Sequence, residues 1–279
     1  MRFNKAQIII LLVLLSLVGY LFYMNYMTPE SELKPTTVTN RPDAKPFDFD
    51  TYKASLGDSL SLEAKANIAE QTKIAEAADA GVFAIAQLAN SWDSLGFRLM
   101  AADYLEKVAN KVNDENSWYR AGQKYYEFSA LTEDTGMMIY ATNKAIYSFE
   151  KVVALNENNI EAKNSLAICY IKDDLDIMKG VQILKDIVNR DSTNIQANYT
   201  LGMLSMRSGQ MDKAVQRFET LTKLNPTNPD FYYFLGQCYM SLENKNQAIK
   251  AFETFQKLVP DMDAKKNIET TIINLKNSK

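Results

Sequence analysis

Two segments of the chain carry nearly the same alternation of apolar and polar residues. They read AVQRFETLTKLNP (Ala214–Pro226) and AIKAFETFQKLVP (Ala248–Pro260), are identical at seven of thirteen positions, and lie 34 residues apart. The alanine and phenylalanine lie four apart on one helix face, and the proline ends the helix because it lacks an N–H group. A second apolar stretch containing Leu-Gly precedes each segment at the same 34-residue spacing. Each unit is therefore predicted to be a helical hairpin that buries its apolar face only by stacking on its neighbours.

These units resemble the tetratricopeptide repeat, a 34-residue helix-turn-helix with the signature Trp-x2-Leu-Gly-x2-Tyr, Ala-x3-Phe and Pro. Residues 195–228 supply Leu201, Gly202, Ala214, Phe218 and Pro226. Residues 229–262 supply Tyr232, Leu235, Gly236, Tyr239, Ala248, Phe252 and Pro260. More degenerate units occupy residues 82–114, 115–159 and 160–194. The resemblance implies an all-α solenoid of about five hairpins over residues 82–262.

The segments on either side of the array, and one segment inside it, depart from the repeat. Residues 59–81 are rich in Ala, Glu and Lys, and residues 263–279 place their apolar side chains on one helix face; both segments are predicted to be helices that cap the two ends of the array. In the unit 115–159 the second helix starts late, and residues 131–141 are an insertion that either lengthens the loop or adds a helical turn.

The N-terminus has a different pattern. Residues 6–29 contain no charged side chain, and from Ile8 to Met24 only Ser16 and Gly19 interrupt an apolar run; a stretch of about 20 such residues crosses a bilayer about 30 Å thick. We therefore expect residues 1–27 to be a transmembrane anchor; a cleaved signal peptide is the alternative, but no small-residue cleavage site follows the run. Arg2 and Lys5 precede the run, which favours a cytoplasmic N-terminus and an array on the periplasmic side of a bacterial inner membrane. The run has no small-xxx-small pattern, and self-association stays open.

Residues 28–58 are rich in proline and polar residues and are predicted to be a flexible linker. Within them, Pro46–Tyr52 (PFDFDTY) alternates aromatic and acidic residues. We expect this short segment to pack on the first helices of the array; a partner-docking motif is the alternative.

Composition excludes several classes of function. The chain has 31 basic and 34 acidic residues, a net charge of −3 and no basic stripe, so nucleic acid is not an expected partner. It has no histidine and no glycine-rich phosphate-binding motif, so we expect no catalytic activity, no cofactor and no metal. Cys169 and Cys238 have a full repeat unit between them, so they are too far apart to pair and are expected to be buried.

The resemblance to tetratricopeptide repeats implies that the first helix of each hairpin lines a concave binding face. The register places the following residues on that face: Tyr119, Gln123, Tyr126, Asn164, Ile168, Tyr199, Met203, Arg207, Tyr233, Gln237 and Met240. Lysines are absent from these positions, which disfavours a clamp for dicarboxylates, and a neutral or mildly amphipathic segment is the expected ligand. The sequence thus predicts a membrane-anchored scaffold for protein or peptide partners in envelope assembly, secretion or biogenesis. The alternatives are a cytoplasm-facing adaptor or co-chaperone with the same groove, and an enzyme that uses carboxylates.

Overall fold

The computed structural model describes residues 45–172 and 176–277. These residues contain thirteen α-helices, one 3₁₀-helix and no β-strand. In chain order they are α1 (Phe49–Ser55), the 3₁₀-helix (Leu56–Ser59), α2 (Leu62–Ala75), α3 (Val82–Ser94), α4 (Arg98–Val112), α5 (Glu115–Leu131), α6 (Thr135–Leu155), α7 (Ile160–Ile171), α8 (Ile177–Arg190), α9 (Ile195–Arg207), α10 (Met211–Leu224), α11 (Pro229–Ser241), α12 (Lys245–Leu258) and α13 (Met262–Asn277).

Five hairpins form the array: α3–α4, α5–α6, α7–α8, α9–α10 and α11–α12. From α2 to α13, each helix packs mainly on the helices that precede and follow it in the chain, and α7 also contacts α9. Helix α2 packs on α3, and α13 packs on α12. The predicted all-α solenoid of repeated hairpins is confirmed.

Asparagine side chains fix where the first helices of three hairpins begin. Asn159 accepts a hydrogen bond from the Ala162 N–H at 2.9 Å, and Asn194 accepts one from the Ala197 N–H at 2.9 Å. Asn228 caps α11 in the same way through the N–H of Asp230, at 3.0 Å. A cap of this kind satisfies a helix donor that would otherwise lack a partner, and it stabilises the helix by about 1 kcal/mol.

Glycine allows the two helices of a hairpin to approach closely. A Cβ atom on Gly122 would lie 2.8 Å from the Phe149 ring, and one on Gly202 would lie 3.1 Å from the Phe218 ring. A Cβ on Gly236 would overlap the ring of Phe252. Each of these rings is almost fully buried, so the ring fills the space that the missing side chain leaves.

Hydrogen bonds between tyrosine and glutamate join adjacent hairpins. In each pair a tyrosine on the first helix of one hairpin donates to a glutamate on the second helix of the preceding hairpin, at 2.6 Å: Tyr125 to Glu106, Tyr170 to Glu150, and Tyr239 to Glu219. Burial, followed by this hydrogen bond, raises the pKa of Tyr239 to about 12. The hydroxyl therefore stays protonated and keeps donating at neutral pH. In α9 the equivalent position is Ser205, which bonds instead to the Leu201 carbonyl of its own helix.

Both cysteines are buried and free, as the repeat spacing predicts. Cys169 is wholly buried, and burial raises the pKa of its thiol to about 12. Burial likewise raises the pKa of the Cys238 thiol to about 11. Both thiols are therefore core side chains with little thiolate at neutral pH.

The insertion at residues 131–141 is helical. Helix α5 extends to Leu131 and α6 begins at Thr135, so the two helices have 17 and 21 residues and a three-residue loop joins them. Of the two expected forms, added helical turns are found and a long loop is not.

Residues 45–59, which we call the strap, pack against these added turns. The ring of Phe49 stacks on Tyr140 with centroids 5.6 Å apart, and Phe47 meets the same ring edge-on at 5.1 Å. Gly136 faces the Lys45 carbonyl oxygen so closely that a Cβ there would lie 2.6 Å from it. The predicted flexible linker is therefore wrong for residues 45–58, because aromatic contacts hold this part of the chain on the array. The expected packing of the aromatic-acidic segment on the first helices is found: Phe49 and Tyr52 pack against the core that includes α2 to α4, and against that of the second hairpin as well.

The predicted anchor at residues 1–27, and the first part of the predicted linker, lie outside the described residues. Within the described residues, no helix has both the length and the apolar character that crossing a bilayer requires.

Candidate functional site

A cleft of about 540 Å³ lies near the C-terminal end of the array, where α9, α11 and α13 come together above α12. Three residues predicted for the binding face, Tyr199, Tyr233 and Gln237, line it together. The remaining lining residues are Asp230, Phe234, Phe255, Ala264, Asn267, Ile268 and Thr271. The structure therefore brings part of the predicted binding face together in one concave site.

The register of the repeat continues into α13. Tyr199, Tyr233 and Asn267 follow one another at 34-residue intervals, and so do Met203, Gln237 and Thr271. Helix α13 thus occupies the place of a further first helix, although no second helix follows it in the described residues. Its smaller polar side chains, at positions where tyrosine and glutamine stand in α11, leave space beside Tyr233.

Aromatic rings form the walls of the cleft. The Tyr199 and Phe234 rings lie 5.9 Å apart at 65°, and the Tyr233 and Phe234 rings lie 5.6 Å apart at 72°. Phe255 lies 5.3 Å from Tyr233. Tyr199 is half-buried and Tyr233 is 36% exposed, so their rings meet the cleft while resting on the core. Such side chains offer contact area with few rotamers to lose.

The polar groups of the cleft are amides, hydroxyls and one carboxylate. Burial raises the pKa of Tyr199, and the negative charge of Asp230 raises it further. The Tyr199 hydroxyl is therefore protonated at neutral pH and can donate a hydrogen bond. Gln237, Asn267 and Thr271 add neutral donors and acceptors. This set suits hydrogen bonding to a peptide backbone, which presents alternating N–H and C=O groups.

The predicted residues of the second hairpin lie apart from this cleft. Tyr119 is half-buried, with its ring 5.5 Å from Phe149. The Lys172 ammonium lies 5.5 Å from the centre of the Tyr126 ring. Gln123 is exposed and lines a separate cleft of about 250 Å³ between α3 and α5.

Other predicted residues offer less surface to a ligand. Asn164 is 8% exposed, and its amide nitrogen lies 3.4 Å from the Asn194 side-chain oxygen. It stands where tyrosine stands in three other hairpins, and its shorter side chain stays below the surface. Ile168 is partly buried, Met203 packs against the core of the fourth and fifth hairpins, and Met240 packs against the core that α13 joins. Arg207 is exposed but does not line the cleft.

Sequence reasoning missed Asp230, Phe234, Phe255 and the residues of α13. Extending the 34-residue spacing by one more unit would have pointed to Asn267 and Thr271. Phe234 and Phe255 carry no such signal, because aromatic residues at helical spacing are ordinarily core.

In the described part of the chain, no group of three or more Asp, Glu and Cys side chains is arranged to hold a metal ion.

Comparisons with known proteins agree on the repeat. Residues 206–265 match the family model for the tetratricopeptide repeat. A search of curated proteins gave no significant match. Among solved structures, the MamA crystal structure is 20% identical with a TM-score of 0.51, covering 66% of this chain and 96% of that one. The protein YrrB, described as a TPR protein with an unusual peptide-binding site, is 19% identical with a TM-score of 0.50, covering 72% and 97%.

A third structure, a tetratricopeptide repeat protein from Parabacteroides merdae, is 14% identical with a TM-score of 0.53 and covers 81% of this chain and 84% of that one. At these identities the similarity is one of fold. The array thus has the tetratricopeptide-repeat fold, and residues 206–265 carry the repeat itself.

Proposed function

We propose that this chain is a non-enzymatic scaffold that binds a protein or peptide segment in the cleft between α9, α11 and α13. The observation that carries the proposal is the joint placement of Tyr199, Tyr233 and Gln237 around one concave volume. Half-exposed aromatic rings and neutral hydrogen-bonding groups favour an extended peptide over a compact metabolite. YrrB, whose fold is similar, is described as having a peptide-binding site, which supports the same use here.

We further propose that residues 1–27 anchor the chain in a bacterial inner membrane, with the array in the periplasm. The support is the uncharged apolar run at residues 6–29 and the basic residues Arg2 and Lys5 before it. The scaffold would then hold a partner of an envelope assembly, secretion or biogenesis machine. An array facing the cytoplasm, serving as an adaptor or co-chaperone, is the alternative. A C-terminal reporter enzyme that is active only outside the cytoplasm distinguishes the two.

Site-specific photo-crosslinking in cells tests the binding face. Benzoylphenylalanine is placed in the full chain at Gln237, inside the cleft, or at Lys250, an exposed position on α12 that does not line it. We expect discrete adducts from position 237 that are absent from position 250. Combining position 237 with Tyr199→Ala and Tyr233→Ala should reduce the adduct yield at least fivefold, because two walls of the cleft are removed.

Circular dichroism of each variant separates loss of binding from loss of fold. Tyr233→Ala alone serves as the milder variant, since its ring is the more exposed of the two. Equal adducts from positions 237 and 250, or adducts that persist in a folded double variant, would show that the cleft is not the binding face.

A further inference from the structure

We infer that the cleft between α9, α11 and α13 takes a cationic side chain, an arginine or a lysine, from the partner segment. The inference rests on the proposed function, and it replaces the neutral segment expected from the sequence with one that carries a positive charge at its anchor. Three observations support it. They are the arrangement of the aromatic rings, the lack of an ion-pair partner for the one carboxylate of the cleft among the described residues, and the size of the cleft.

The rings that line the cleft are steeply inclined to one another, and Phe234 also stacks on Phe218, which does not line the cleft. Phe234 lies at 65° to Tyr199 and at 72° to Tyr233, so the rings form the adjoining walls of a corner. Rings arranged in this way can present their electron-rich faces to one point between them. A guanidinium or ammonium group is attracted to such faces, by about 0.5–1 kcal/mol at an exposed site and by more when it is desolvated.

Asp230 is the one charged side chain among the residues that line this cleft. It is exposed, and across the described residues no lysine or arginine lies within ion-pair distance of its carboxylate. It lines the same cleft as Tyr199, where its negative charge adds to the effect of burial in raising the pKa of that tyrosine. A cation held between the rings would therefore gain a carboxylate partner that the chain itself does not supply.

The smaller cleft near Gln123 shows the opposite arrangement. There the Lys124 ammonium lies 3.1 Å from Asp93 and 3.2 Å from Glu127, so the acidic groups are already paired within the chain. An incoming cation would have to displace Lys124. The cleft between α9, α11 and α13 thus differs from the smaller one, because its negative charge is available to a ligand.

The volume of the cleft matches a long side chain with some of its backbone. At about 540 Å³ it falls within the range of roughly 300–1,000 Å³ that is usual for ligand pockets. Gln237, Asn267 and Thr271 can bond the flanking peptide groups while the cation reaches the rings.

Asp230 also lies in the first turn of α11, where a negative charge stabilises a helix. Asp212 holds the same place in α10, is also exposed, and does not line the cleft. The variant Asp212→Asn is therefore a matched control that changes the helix end and leaves the cleft unchanged.

Fluorescence anisotropy of the full-length chain, purified in mild detergent, tests the inference. The probes are three fluorescein-labelled, amidated nonapeptides with leucine at the second and eighth positions on an alanine background. Their central residue is arginine, its neutral isostere citrulline, or glutamate. We expect the arginine peptide to bind about fivefold more tightly than the citrulline peptide, because an exposed ion pair and a cation–π contact are each worth up to about 1 kcal/mol. The glutamate peptide should bind least.

The variants then assign the preference to named groups. Asp230→Asn should bring the arginine and citrulline peptides within about twofold of each other, and Tyr233→Leu, which keeps apolar bulk without a ring, should do the same. Asp212→Asn should retain the full preference. Any of three results would overturn the inference. The unaltered chain could bind the arginine and citrulline peptides equally, the preference for arginine could survive in Asp230→Asn, or no probe could bind at all. If the arginine and citrulline peptides bind equally and both lose binding in the Tyr199→Ala/Tyr233→Ala variant, the preference for a cation is overturned and the proposed function is not.

Discussion

Single glycines set how closely the helices of a hairpin approach, and Gly236 makes the tightest contact of the three that face phenylalanine rings. Alanine at this position gains about 1 kcal/mol of helix propensity, but its methyl group overlaps the buried Phe252 ring, which has nowhere to move. We predict that Gly236→Ala lowers the stability of the full chain by about 2 kcal/mol in urea unfolding.

Gly57 provides the matched control, because a Cβ there meets no atom within 4 Å. Gly57→Ala should change the stability by less than about 0.5 kcal/mol. If Gly236→Ala proved as stable as the unaltered chain, close approach would not be what the glycine provides.

Asp103 on α4 should make stability depend on pH. Burial raises the pKa of its carboxyl, and the attraction of Lys107, 3.2 Å away, does not fully offset this. A pKa that is higher in the folded state favours the protonated acid, so this contribution to stability is present below a pH of about 4 and is lost as the pH rises through the folded pKa.

The variant Asp103→Asn cannot ionise and escapes that loss. We therefore predict that, relative to the unaltered chain, Asp103→Asn gains stability between pH 4 and pH 8. The midpoint of urea unfolding, measured at both values, checks this. A relative loss of stability at the higher pH would mean that the ion pair with Lys107 outweighs the cost of burial.

At the scale of elements, aromatic contacts hold much of the strap on the array. Helix α1 has no buried residue and is attached by the contacts of Phe47 and Phe49 with Tyr140 and by the Lys53–Glu76 ion pair, while Leu56, just after it, is buried in the core. An aromatic pair of this kind is worth about 0.5–1.5 kcal/mol beyond its buried area. We predict that Phe49→Ala makes amide hydrogen exchange across residues 49–59 roughly three- to tenfold faster.

Tyr140→Ala should reproduce this change from the other side of the contact. Thr51→Ala, an exposed substitution on the same helix, should leave the exchange unaltered. Faster exchange that extended to α9–α13 would indicate general loss of stability, and unchanged exchange in both aromatic variants would show that the rings do not hold the strap.

The elements also show which parts of the fold can be predicted from the sequence. The helices follow from apolar periodicity, capping residues and proline, all of which are local signals. The strap depends on Phe49 meeting Tyr140, a contact between distant positions that no local pattern records. The tyrosine–glutamate bonds are similar: Tyr125 belongs to the repeat signature, whereas Glu106 looks like any glutamate on a helix surface.

At the scale of the whole molecule, the array is a chain of neighbour contacts, and this governs what could be inferred about its site. The repeat register identified Tyr199, Tyr233 and Gln237, because equivalent positions in a solenoid share one face. It could not identify the end of the array as the place where a cleft opens. That depends on α13, whose asparagine and threonine are smaller than the residues they replace in the register.

Helix α13 both covers the last hydrophobic core of the array and forms one wall of the cleft. Ile268 is 5% exposed, packs in one core with Phe252 and Phe255, and also lines the cleft. A ligand that spans α11 and α13 therefore resists fraying of the terminal helix, and at a hundred times its dissociation constant it adds about 2.7 kcal/mol to stability. The rise in the melting temperature of the full chain when a candidate partner is added can therefore be used to rank candidate partners before any of them has been identified by other means.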